Sequence, residues 1–88
     1  MAKSVFTGNY NGFRTLLIEA RTSSGLTQID LARKLGRPQS FVSKYERGER
    51  RLDVIEFLEV ASALAIDPSD FIRKLQQTPT LKRRTRLS

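Results

Sequence analysis

The stretch GLTQIDLARKLGRPQSFVSKYERG, residues 25–48, decides the fold. Thr27 precedes Gln28, Ile29 and Asp30, so its hydroxyl can accept from the third amide of a helix while the acid at that position reaches back. A helix begins there. Leu31, Ala32 and Leu35 make its inner face, Arg33 and Lys34 lie outside, and Gly36 supplies a left-handed stop. Pro38 suits the first turn of a new helix, where its missing N–H would have been unpaired in any case. In that helix Val42 and Tyr45 stand three apart, leaving Gln39, Ser40, Ser43 and Lys44 on another face that is polar and largely uncharged. Arg47-Gly48-Glu49-Arg50-Arg51 then closes the helix and makes a basic loop.

Upstream, Phe13, Leu16, Leu17 and Ala20 recur at helical spacing and Ser23-Ser24-Gly25 ends the run, which predicts a helix over about 10–23. The cluster Gly8, Asn9, Asn11 and Gly12 reads as a loop, so residues 1–12 are expected to be a flexible arm. Downstream, Val54, Ile55, Leu58, Ala61, Leu64 and Ala65 predict a fourth helix over about 54–64. Asp67-Pro68-Ser69 opens a fifth carrying Phe71, Ile72 and Leu75, a face that either completes the core or offers a dimer patch together with Ile66. Pro79 ends the order, and 78–88 reads as a basic, disordered tail that either grips phosphate or hangs free. The expectation is an all-α domain of five helices over 13–77, with Leu31, Leu35, Val42, Tyr45 and Leu58 in its core.

A chain of 88 residues supports one domain with one modest core. It has no Cys and no His, which removes the usual zinc and iron ligands and the commonest general base and nucleophile. No enzyme, no metal and no cofactor are expected. The absence of a long apolar run or a signal-like N-terminus points to a cytoplasmic protein without a membrane span. The net charge of +7 is unevenly spread. Residues 31–52 carry seven Lys and Arg against two Glu, residues 53–72 carry five acids and no base, and residues 73–88 carry six bases and no acid. A cationic stripe on a small domain is the footprint of a polyanionic partner, because neutralised phosphates release counterions.

Two short helices joined by a tight Gly-containing turn, the second with a polar outer face, form the arrangement that major-groove reading requires. The groove is about 12 Å wide and admits one helix. The Gln39 amide can pair bidentately with adenine, Lys44 can donate to guanine, and the Ser40 and Ser43 hydroxyls serve several bases. Arg37, Arg50 and Arg51, in the same basic segment, are candidates for phosphate contacts.

Gly25-Leu26-Thr27-Gln28, Leu31-Ala32, Leu35-Gly36, Gln39-Ser40, Val42-Ser43 and Glu46-Arg47-Gly48 together resemble the phage-repressor and Cro-type (XRE) helix-turn-helix family, over about residues 13–75. The resemblance implies a five-helix, lambda-repressor-like domain, commonly dimeric on an operator. It implies phosphate contacts from Gln28 and Arg47, and base contacts from Gln39, Ser40, Ser43 and Lys44. It also implies that Arg21 and Glu46 form a structural pair tying the first helix to the third. The chain departs from the pattern at Pro38, where a Ser or Thr cap is common, and at Phe41, where a small polar residue is common. Phe41 either touches a thymine methyl or sugar, or packs on a neighbouring helix. The function expected is a dimeric repressor reading a double-stranded DNA operator. The alternative is a protein-interaction module, such as the antitoxin partner of a toxin, that docks through the acidic fourth and fifth helices with DNA binding secondary.

Overall fold

The computed structural model describes residues 2–77, with side chains from residue 10 onward. Five helices follow one another: α1 (Ala2–Ser23), α2 (Gln28–Leu35), α3 (Gln39–Glu46), α4 (Val54–Leu64) and α5 (Pro68–Gln76). There is no strand among the described residues, and no helix there is long and apolar enough to cross a membrane. The basic tail expected over 78–88 lies outside the described residues.

α2 starts as its sequence dictates. The Thr27 hydroxyl accepts from the Asp30 amide at 3.0 Å, and an Asp30 carboxylate oxygen accepts from the Thr27 amide at 3.0 Å. These bonds hold the Asp30 carboxyl below its ordinary pKa, the backbone amide being the larger cause. Gly36 ends α2 in the left-handed region at φ 67°, its amide reaching back to the Ala32 and Arg33 carbonyls. α4 opens with a second reciprocal cap, in which Asp53 accepts from the Glu56 amide at 2.7 Å and Glu56 from the Asp53 amide at 3.0 Å. Pro38 sits one position earlier than expected. It is the extended N-cap of α3 and makes no side-chain capping bond, because its ring has no acceptor to offer.

The core gathers Leu17, Leu31, Val42, Tyr45, Val60, Leu64 and Phe71, with Phe13, Leu26 and Leu35 packed partly buried at its margin. Phe13, Phe57 and Phe71 meet pairwise with centroids 5.1–5.7 Å apart and bind α1, α4 and α5 together. Phe41 is buried at 8% exposure and meets Tyr45 edge-on at 5.6 Å. Its alternatives are thereby decided in favour of packing.

Two sequence expectations need correction. Leu58 is exposed, while Phe57, Val60, Ala61 and Leu64 form the buried stripe of α4. α4 carries apolar residues around most of its circumference, and the bulk of Phe57 against Phe13 and Phe71 sets which side turns inward. α4 spans the expected 54–64, and Ala65 follows it as the left-handed C-cap at φ 57°. The arm expected over 1–12 is helical from Ala2. Gly costs a helix only about 1 kcal/mol, and tertiary contacts offset it here: the Tyr10 ring packs at 5.4 Å from Phe13, and its hydroxyl donates to the Arg50 carbonyl at 3.3 Å. Asn11 spends its side-chain oxygen on Arg14 at 2.7 Å, so it does not compete with the helix backbone there.

Candidate nucleic-acid interface

The two short helices of the helix-turn-helix, α2 and α3, are held together by a buried acid. Glu46, at the end of α3, is 5% exposed and is the buried charged residue among the described ones. Arg21 of α1 donates to both its oxygens, at 2.7 and 3.1 Å, and gives its remaining nitrogen to the Leu26 carbonyl at 2.9 Å. Gln28, at the start of α2, donates to the same carboxylate at 2.8 Å, and its own amide oxygen accepts from Gln39 at 3.2 Å. One carboxylate therefore fixes α1, α2 and α3 in mutual register and extends that order to the first residue of α3. Arg14 adds a bond from its Nε to the Glu46 carbonyl at 2.8 Å, satisfying one of the open carbonyls at the C-terminus of α3.

On this frame the outer face of α3 is presented. Gln39, Ser40 and Lys44 are exposed and Ser43 is half-buried, its hydroxyl donating to the Ser40 carbonyl at 3.3 Å. The structure brings these four onto one surface, with Gln28 beside Gln39. Gln28 is more constrained than sequence reasoning foresaw, since its amide nitrogen is committed to Glu46.

The arginines divide into two groups. Arg47 and Arg51 are exposed: Arg47 pairs across the loop with Glu49 at 3.0 Å, and the Arg51 guanidinium lies over the Tyr10 ring at 4.4 Å. Arg37 and Arg50 are bound inward. Their guanidinium carbons lie 4.5 and 4.9 Å from the centroid of Phe41, within the range of cation–π attraction. Arg50 donates to both oxygens of Glu56, at 3.0 and 2.8 Å, and Arg37 stands 3.8 Å from Glu56 and 3.4 Å from Glu59. The hydrogen bonds from Arg50, then the one from the Asp53 amide, pull the Glu56 carboxyl down to about 2.

Sequence reasoning missed Glu56 as the residue that organises these cations. Its signal was present in Asp53-x-x-Glu56, a capping-box spacing one turn after the basic loop. The same engagement withdraws Glu56 from the acidic docking surface considered in the alternative reading, since its side chain is only 13% exposed. Tyr10 and Arg14 were missed as well, because their partners lie 40 and 32 residues away, beyond any local pattern.

The helix-turn-helix family profile matches residues 17–71, which is more than half of the chain and spans α2, α3 and α4 entire. The chain belongs to this family, in its XRE-type branch of DNA-binding transcriptional regulators. It is 34% identical over 59 residues to an uncharacterized HTH-type transcriptional regulator of Sinorhizobium fredii, an overlap of 67% of this chain and 77% of the relative. An XRE-family like protein from Pseudomonas syringae pv. tomato superimposes with a TM-score of 0.81 at 48% identity, covering 85% of this chain and 92% of that one. The wild-type restriction-modification controller protein C.Esp1396I shares the fold at a TM-score of 0.71 and 24% identity, over 76% of this chain and 88% of its own.

Proposed function

We propose that the protein is a sequence-specific repressor that binds double-stranded operator DNA as a homodimer, with α3 in the major groove. The observation that carries this reading is the outer face of α3, where Gln39, Ser40 and Lys44 stand exposed on a helix held in place by Glu46. Gln39 and Lys44 have the donor and acceptor groups that distinguish adenine and guanine edges, and Ser40 and Ser43 add tolerant hydroxyls. In this reading Gln28, Arg47 and Arg51 meet the phosphates that flank the groove, Gln28 through the amide hydrogen that Glu46 does not take. Arg37 and Arg50 add positive charge at the flank of α3, already ordered by Phe41 and Glu56, so little side-chain freedom is lost on contact. One helix of eight residues reads few base pairs, and two copies on half-sites about 10 base pairs apart supply the rest. Repression follows when the occupied operator overlaps a promoter.

Selection from a random duplex library near physiological salt tests the reading, with the Gln39→Ala, Lys44→Ala double variant beside the native chain. A two-fold symmetric motif whose preference relaxes in the variant is expected. Motif-free binding that vanishes with added salt would refute it.

A further inference from the structure

Phe41 stands in the first turn of α3, the end of a reading helix that meets base edges. Two guanidiniums lie over its ring, that of Arg37 from the turn before the helix and that of Arg50 from the loop after it. Arg50 is thereby returned from beyond the C-terminus of α3 to its N-terminal half. Both arginines also approach one carboxylate, Glu56 of α4: Arg50 donates to its two oxygens at 3.0 and 2.8 Å, and Arg37 stands 3.8 Å away. The acid is 13% exposed, while Arg37 and Arg50 keep 35% and 40% of their side chains open to solvent. A sheltered carboxylate behind two accessible cations differs from an ordinary surface pair, in which both partners are free to part.

We propose that Glu56 determines DNA specificity as a positioning residue, by holding Arg37 and Arg50 in one place so that they meet phosphates only where α3 is seated on its preferred sequence. The inference rests on the operator-binding reading and adds to it a residue that acts through its neighbours. An arginine carries five N–H donors in a rigid fork. Glu56 and the Arg51 carbonyl take three of those of Arg50, and among the described residues no acceptor meets the other two. Arg50 can therefore bind a phosphate oxygen without leaving Glu56, provided that the phosphate comes to it. A duplex with α3 fully in its groove fixes its phosphates in one register and meets that condition; a duplex gripped in passing does not. Sequence-independent binding draws its strength from cations that reach whichever phosphate is near. Tethering two of them beside a carboxylate weakens that mode more than the seated one.

Phe41 and Glu56 contribute differently. The ring attracts both guanidiniums without cancelling their charge, whereas the carboxylate orients them and opposes their use elsewhere. Glu56 stays charged throughout the neutral range, because the bonds from Arg50 and from the Asp53 amide hold its carboxyl at about 2. Its position is fixed too: the Asp53 amide donates to it at 3.0 Å in the cap of α4, so it cannot follow an arginine that moves away. Glu59 offers no comparable hold, being half exposed and 3.4 Å from Arg37. Arg47 is the contrast among the cations, since its partner Glu49 is an exposed neighbour in the same loop and moves with it.

The test compares the native chain with Glu56→Gln on a random-sequence duplex and on the selected operator, over a salt series at neutral pH. Gln can keep the capping bond to the Asp53 amide, so the fold should survive, and circular dichroism at the assay temperature checks that it does. Glu19→Gln controls for net charge, since it removes a carboxylate on α1 that lines the groove against α5. On random duplex Glu56→Gln should bind about tenfold more tightly near 0.1 M salt, with a salt dependence steeper by about 0.9 for each cation released. On the operator the gain should stay below about threefold, so that the preference for operator falls. In an Arg37→Ala, Arg50→Ala background the same substitution should do no more than Glu19→Gln. An equal gain on both duplexes, a gain no larger than that of the control, a gain that survives without the two arginines, or a loss on random duplex would overturn the proposal. If the native chain selects no operator, the repressor reading fails on its own. Pyrophosphate titrations followed at the Arg37 and Arg50 Nε resonances then decide the role of Glu56: tighter binding in Glu56→Gln supports it, and equal binding overturns it.

Discussion

Glu46 accepts from Arg21, Gln28 and, through its backbone carbonyl, Arg14, so three side chains depend on a single position. Arg21 is itself mostly buried, at 13% exposure, and removing the carboxylate strands its charge away from water. Breaking a buried pair from one side costs about 3–5 kcal/mol. Glu46→Ala is therefore expected to lower unfolding stability by about 3 kcal/mol in a urea titration; a loss under 1 kcal/mol would mean that the pair is a surface pair in practice. Next to it, Tyr45 is 1% exposed, and its hydroxyl has no hydrogen-bond partner among the described residues. Burial pushes this phenol's pKa up, in keeping with an apolar setting. A buried donor left unpaired costs about 1–3 kcal/mol, and Tyr45→Phe removes that donor while keeping the ring against Phe41. Thermal unfolding should rise, by the equivalent of about 1 kcal/mol. A fall would show that the hydroxyl is bonded in solution.

Of the left-handed glycines Gly25, Gly36 and Gly48, the one after α3 leaves the least room for a side chain. Gly48 lies at φ 81°, and a β-carbon built there would stand 3.1 Å from Nε of Arg14, the atom that donates to the Glu46 carbonyl. Gly48→Ala combines left-handed strain of about 1–2 kcal/mol with displacement of that arginine. It should therefore cost more than Gly36→Ala, where nothing lies within 4 Å of the added carbon. Equal losses of denaturation midpoint in the two variants would argue against the Arg14 contact. How far the elements could be read from sequence follows the same division between local and distant causes. α2 and the start of α3 were legible because Thr27, Asp30 and Gly36 act within one turn of the chain. The inward face of α4 was not, since Val54, Leu58 and Ala61 and the alternative Phe57, Val60, Ala61 and Leu64 both satisfy helical spacing. Only contact with Phe13 and Phe71 separates them. The full length of α1 was hidden for a like reason, its Gly and Asn signalling a loop locally while Tyr10 and Arg14 find partners far along the chain. The exposed polar face of α3 was legible as a set, but the commitment of Gln28 to Glu46 and of Arg37 and Arg50 to Phe41 depends on tertiary contact.

Across the whole molecule, the basic middle and acidic flank visible as separate blocks of sequence are folded against each other at Glu56. Its carboxylate joins α4 to Arg50 of the preceding loop and to Arg37 of the turn, so two of the seven cations between residues 31 and 52 are partly compensated before any DNA arrives. The linkage has a definite sign. Glu56 titrates at about 2 in the folded protein against an ordinary 4.5, so the folded state favours the charged carboxylate. Its contribution is fully present above pH 4.5 and is lost as the pH falls from there through 2, where protonation of the native state removes the last of it. Asp30 and Glu49 are shifted in the same direction by their own hydrogen bonds, so acid should weaken the domain at several helix ends together. Glu56→Gln isolates one share of this effect: the amide keeps the size of the side chain but has no proton to gain. The variant should be less stable than the native chain at pH 7, and the difference should shrink as melting temperatures are followed from pH 5 to pH 2, a range set by the shifted and ordinary values of this group. A difference that stays constant over that range would assign the loss to packing against Arg37 and Arg50 instead of to the charge.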